Sequence, residues 1–266
     1  MNKNVKLLLA LAALLSCANW AAANTATVYT IDGERQIIID PAAAIIPTIS
    51  LGRKASAGDG TAVPVDSNVP EAVKAQLGAD LKFVATVQGS DATKLHQQIF
   101  GAIQGKNYFN FFVSRVKSIG LDAKMTGNAV AYVSPMMDSS KMWLTNNYIK
   151  FSHPQIARLM VVFHEARHTE DGNGNWHHAY CPTPFELDGK EVLSIWTGSS
   201  LAGEPACDAT PLGSYGSSTI MLKNISKFCT SCTGKVKEDA GMYADDQFKR
   251  ITNAKARQQM LEDLYQ

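Results

Sequence analysis

The chain has 266 residues, 45% of them hydrophobic and 18% charged, with 19 Gly, 10 Pro and a formal charge of +1. That balance excludes a disordered, collagen-like or polytopic membrane protein. The first 23 residues carry two lysines and no acid, so the remainder is slightly acidic. With no run of Lys and Arg either, nucleic acid is excluded as a partner.

Met1 to Ala23 has the pattern of a secretory signal: Lys3 and Lys6, and a stretch from Val5 to Leu15 that is apolar apart from Lys6. The nine unbroken apolar residues from Leu7 to Leu15 are too few for a membrane-spanning helix, which needs about 20. Ala21-Ala22-Ala23 offers a small-residue cleavage site that would leave Asn24 first. Leu14-Leu15-Ser16-Cys17 competes, because it is similar to a lipoprotein box in which Cys17 would carry a lipid anchor. Both routes take the chain out of the cytoplasm, to a secreted or periplasmic location, and no segment of the mature chain is expected to span a membrane.

Residues 24–90 read as a strand-rich N-terminal segment, a small module or propeptide. Thr27 to Ile31 and Gln36 to Ile39 form a predicted hairpin around Asp32-Gly33. Ser56 to Asn68, rich in Gly, Ser, Pro and Asp, reads as an exposed loop. A catalytic domain is expected over 91–266. Asp91 would cap a helix carrying Leu95, Ile99 and Ile103. A second helix is predicted from Asn107 to Ile119, burying Phe109, Phe112, Val113 and Val116 and stopped by Gly120. Ala129 to Ser134 and Lys141 to Ile149 read as strands. Another helix follows, capped by Ser152 with Pro154 in its first turn, its apolar stripe formed by Ile156, Leu159, Met160 and Phe163. Ser217 to Phe228 and Ala254 to Leu264 read as later helices.

That central helix ends in His164-Glu165-Ala166-Arg167-His168, a His-Glu-x-x-His sequence. Residues four apart on a helix stand one above the other, so His164 and His168 can offer two imidazoles to one ion. Glu165, a third of a turn away, lies beside the ion and can move protons. Two neutral nitrogens suit Zn2+. Four of the six histidines fall between 164 and 178. Arg167 reads as a salt-bridge or surface residue, and His96 and His153 as structural.

This stretch resembles the active-site helix of zincin metallopeptidases, a likeness covering residues 129–178. It implies an α+β fold, with a small mixed sheet, an active-site helix and a mostly helical C-terminal half. It also implies zinc-dependent hydrolysis of peptide bonds in a peptide or protein substrate, with Glu165 as general base and acid. The strand at Lys141 to Ile149 would be the edge strand that receives an extended substrate. The third ligand departs from well-known subfamilies. Position 171 is Asp and position 174 is Gly, so the chain would turn at Gly172 and Gly174 and return a histidine, His178 ahead of His177. Asp208, followed by a Tyr-Gly at Tyr215, loosely resembles the aspzincin arrangement, and Glu204 and Glu170 are further rivals. Tyr215 would hydrogen-bond the oxyanion. A binding protein that keeps the zincin fold without hydrolysis, or a lipid-anchored envelope protein, is the alternative.

Setting Cys17 aside, Cys181, Cys207, Cys229 and Cys232 make an even set outside the cytoplasm, which indicates two disulfides. The favoured pairing is Cys181 with Cys207 and Cys229 with Cys232.

Overall fold

A computed structural model describes residues 26–31, 34–39, 63–150 and 153–266. The predicted signal segment, Cys17, the Asp32-Gly33 turn and Ser152 lie outside these residues. Strands β1 (Ala26–Ile31) and β2 (Glu34–Ile39) pair antiparallel with Ile31 opposite Glu34, in the register a two-residue turn imposes. They belong to a different unit from the one containing Ala57–Gln266.

Within that second unit, residues 71–84 are helical where the sequence reads as strand-rich. Helix α1 (Glu71–Val84) buries Val73, Leu77 and Val84, residues repeating at helical spacing, and places Glu71 in its first turn and Lys82 in its last. Helix α2 (Lys94–Phe100) has Thr93 at its N-cap, two residues later than the expected Asp91, and Gly101 ends it at φ 74°. Ile103 therefore sits beyond the helix, buried in the core. Helix α3 (Gly105–Arg115) is shorter than the predicted 107–119 and buries Tyr108, Phe111 and Phe112; Phe109 stays half-buried. From Val116 the backbone is extended, and Ser118–Asp122 is strand β3. Gly120 is thus a strand residue and no helix stop. It lies opposite Trp143, whose indole, with Lys141 and Asp66, fills the space a side chain would need.

Strands β4 (Ala131–Ser134) and β5 (Asp138–Thr145) complete a mixed sheet of order β3-β5-β4, with β3 parallel and β4 antiparallel to β5. The expected edge strand is therefore central, and β4 takes the edge. The predicted strand 141–149 also ends early, because 146–150 forms the short helix α4 (Asn146–Lys150). Thr145 Oγ1 accepts from the Asn147 N–H, and the Asn146 and Asn147 amides satisfy carbonyls of the preceding loop. Those side-chain bonds divert the chain from the ladder.

Helix α5 (Gln155–His168), introduced by Pro154, is buried on nearly every side. Its Phe163 is ringed by Phe100, Tyr108, Phe111 and Phe112, with centroids 5.9–6.2 Å away. Helices α6 (Ser214–Phe228), α7 (Gly234–Phe248) and α8 (Ala254–Leu264) form the mostly helical C-terminal half. A second cluster of apolar side chains, with Ile220, Phe248 and Met260 at its centre, seals α6, α7 and α8 together. The fold is α+β, as expected.

Candidate metal centre

Helix α5 presents His164 and His168 one turn apart. Beyond it, residues 171–176 make a tight turn in which Gly174, Asn175 and Trp176 all have positive φ. Asn175 tolerates that conformation well, and it ties the turn to the helix: its Nδ2 donates to the His168 carbonyl and to Asp171 Oδ1. The chain then returns past the helix and delivers His178. An antiparallel bridge between Ala179 and Cys207, with the Cys181–Cys207 disulfide beside it, fixes this return. Both expected disulfides are present, the second being Cys229–Cys232.

The three Nε2 atoms of His164, His168 and His178 lie 3.1–3.2 Å apart. An ion about 2.0–2.1 Å from each nitrogen of a tetrahedral site spaces its ligands by roughly 3.3–3.4 Å, so the triangle is of coordinating size. Proton placement agrees. His168 Nδ1 faces the Asn175 carbonyl at 2.9 Å, and His178 Nδ1 faces Asp208 Oδ1 at 2.9 Å. Each bond puts the ring proton on Nδ1 and leaves the Nε2 lone pair bare. Two bare lone pairs 3.1 Å apart repel unless a cation lies between them. The three imidazoles can therefore hold a metal ion. Burial drives His164 well below the ordinary histidine value, aided by the other two imidazoles and Arg250, and it takes His168 down to about 4.

The rival ligands have other partners. Asp208, only 2% exposed, orients His178 through Oδ1, while Oδ2 accepts from the N–H groups of Tyr215 and Gly216 at the N-terminus of α6. Glu170 is taken up by Arg115, Arg167 and the Trp176 indole. Although burial opposes its charge, those bonds hold it below the usual carboxylate value. Arg167 is itself buried, bound to Glu170 and the Leu212 carbonyl, and is no surface residue. His177 and Glu204 are exposed and outside the three-His group. His96 and His153 are structural: His96 is bound by the Gly101 carbonyl and Tyr108, and His153 stacks on Trp196 at 3.8 Å.

The imidazoles open onto a cavity of about 650 Å³, lined also by Glu165, Tyr215, Arg250 and strand β4. Glu165 is buried, Oε2 has no hydrogen-bond partner among the described residues, and desolvation raises its carboxyl to about 8. The Tyr215 ring packs against His164 and His178 at 4.4 and 4.5 Å, and its hydroxyl accepts from Arg250 Nη1 at 2.8 Å. Burial raises the phenol too. Sequence reasoning did not find Arg250, which follows α7 in a Lys-Arg pair with no recognisable spacing to the motif. It also did not find the orienting role of Asp208, for which proximity to Cys207 was the available signal. No family model, curated protein or solved structure significantly matches the chain.

Proposed function

We propose that the protein is an exported zinc-dependent metallopeptidase, with His164, His168 and His178 as ligands. The observation that carries this reading is the convergence of three Nε2 atoms in one cavity with a buried Glu165, whose Oε2 has no partner among the described residues. Zinc held there supplies Lewis acidity to a substrate carbonyl and to water. Glu165 lies next to the ligands, where a bound cation would offset its burial and favour the ionised carboxylate; in that form it would take a proton from the attacking water and return it to the leaving amine. Tyr215 stabilises the oxyanion: because Arg250 donates into its oxygen, the phenolic proton is free to point into the cavity. Strand β4, on the outer side of the sheet and along the cavity, offers backbone groups to an extended peptide. Export is supported by the signal-like N-terminus and by two disulfides.

The test is Glu165→Gln, which keeps the shape and removes the base. Peptide hydrolysis should fall by about 10²–10⁴-fold while zinc remains stoichiometric by elemental analysis. An unchanged rate would sink the mechanism. A wild-type protein that binds zinc yet cleaves no member of a broad peptide library would favour the partner-binding alternative.

A further inference from the structure

Arg250 is a buried charge whose bond to Tyr215 accounts for only part of its guanidinium. It follows α7, and its carbonyl accepts from the Asp208 N–H, so the chain segment that orients His178 also fixes Arg250. The residue is 6% exposed and lines the cavity. Nη1 reaches the Tyr215 hydroxyl, the guanidinium lies 4.6 Å from the centre of the Tyr215 ring, and the buried Nε has no acceptor among the described residues.

A desolvated guanidinium is ordinarily matched by a carboxylate or by carbonyl oxygens. Buried Arg167 follows that rule with Glu170, and partly buried Arg158 does so with Asp80. Arg250 makes no salt bridge among the described residues. Asp246, bonded by Lys249 and Gln247, feels the Arg250 charge but forms no salt bridge with it, and both Asp208 oxygens are occupied by His178 and the start of α6. One aromatic ring separates this cation from the three imidazoles, since Tyr215 packs against His164 on one side and Arg250 on the other. The cavity wall thus combines a desolvated guanidinium, whose Nη1 bonds Tyr215, with three imidazoles that can hold a metal ion.

We propose that Arg250 is the anchor for a substrate carboxylate. This rests on the peptidase reading and narrows it to peptides that carry a carboxylate close to the bond cleaved. Two sources share that chemistry, the free C-terminus and an Asp or Glu side chain. The guanidinium suits either, because its parallel N–H groups meet both oxygens of a carboxylate.

The test uses zinc-loaded protein, calorimetry and three probes: acetyl-Gly-Gly, its C-terminal amide, and acetyl-Gly-Glu amide. One of the two carboxylate-bearing probes should bind at least tenfold more tightly than the neutral amide, and whichever does so identifies the source. Arg250→Gln should bring that ratio to within twofold, and Arg250→Lys should leave it intermediate. Zinc stoichiometry and unfolding temperature should match wild type, which separates a lost anchor from a damaged fold. The metal-free protein should retain the preference, because a carboxylate held by zinc alone would lose it on chelation. Equal or undetectable binding of all three probes by wild type would overturn the proposal, as would a preference that survives in Arg250→Gln. The two readings fail separately. A retained preference alongside undiminished hydrolysis in Glu165→Gln removes the peptidase mechanism and leaves the anchor. Lost hydrolysis without any preference does the reverse.

Discussion

Asp208 serves two structures with one carboxylate. Oδ1 faces the imidazole that completes the metal-binding group, and Oδ2 caps the first turn of α6, where unpaired N–H groups and the helix dipole favour an anion. Gly213 makes room for it, since a Cβ there would lie 2.4 Å from Oδ2. In Asp208→Asn the amide has one acceptor for two sets of donors, so its NH2 must face either the imidazole N–H or the helix start. Zinc affinity should weaken by about 10–100-fold, readable in a competition titration with a chromophoric chelator. An unaltered affinity would show that His178 needs no orienting partner. The histidine pair was legible because a four-residue interval has one meaning on a helix. Asp208 was legible as a rival ligand but not as the residue that orients one, because that role depends on a bridge between residues 179 and 207.

The return segment works as an element, although it holds little regular structure. Its bridge to Cys207 and the disulfide at Cys181 hold His178 against α5 from a loop that closes far along the chain. Converting Cys181 and Cys207 together to Ser removes a link between residues 26 apart in sequence. The loss of stability should be on the order of 3 kcal/mol in denaturant unfolding, with weaker zinc binding. Removing Cys229 and Cys232, only 3 apart, should leave zinc affinity unchanged; equal effects on zinc from both pairs would contradict a local role for the first. Element boundaries were less legible than ligands. The run from Asn107 to Ile119 has helical apolar spacing throughout, yet its last residues leave the helix to pair with β5. Local periodicity carries no information about a partner strand twenty residues away. The same holds for the edge of the sheet: β4 and β5 both read as strands, and only the parallel addition of β3 makes β5 central.

Across the whole molecule, the candidate centre joins pieces that sequence keeps apart: α5, the return segment, the start of α6 and the turn after α7. A ligand that binds only this assembled arrangement stabilises the entire unit. Zinc at about a hundred times its dissociation constant contributes roughly 2.7 kcal/mol, which corresponds to a shift on the order of 5–10 °C for a chain of this size. Chelation should lower the unfolding temperature by that amount in calorimetry, and re-addition should restore it. No shift would mean that the three imidazoles take no ion under those conditions. The α+β class was what the zincin likeness implied, and the apolar spacing of Ser217 to Phe228 and Ala254 to Leu264 agreed with a helical C-terminal half; the convergence of Arg250 on the cavity was not legible, because it depends on how α6 and α7 pack.

The Cys181–Cys207 link also ties the candidate centre to the redox state of its surroundings. With those thiols reduced, the backbone pairing of Ala179 with Cys207 and the Asp208 contact alone would hold His178 near α5. Reduction would then loosen one ligand of three and oxidation would restore it, so affinity for an ion would follow the compartment the chain is in.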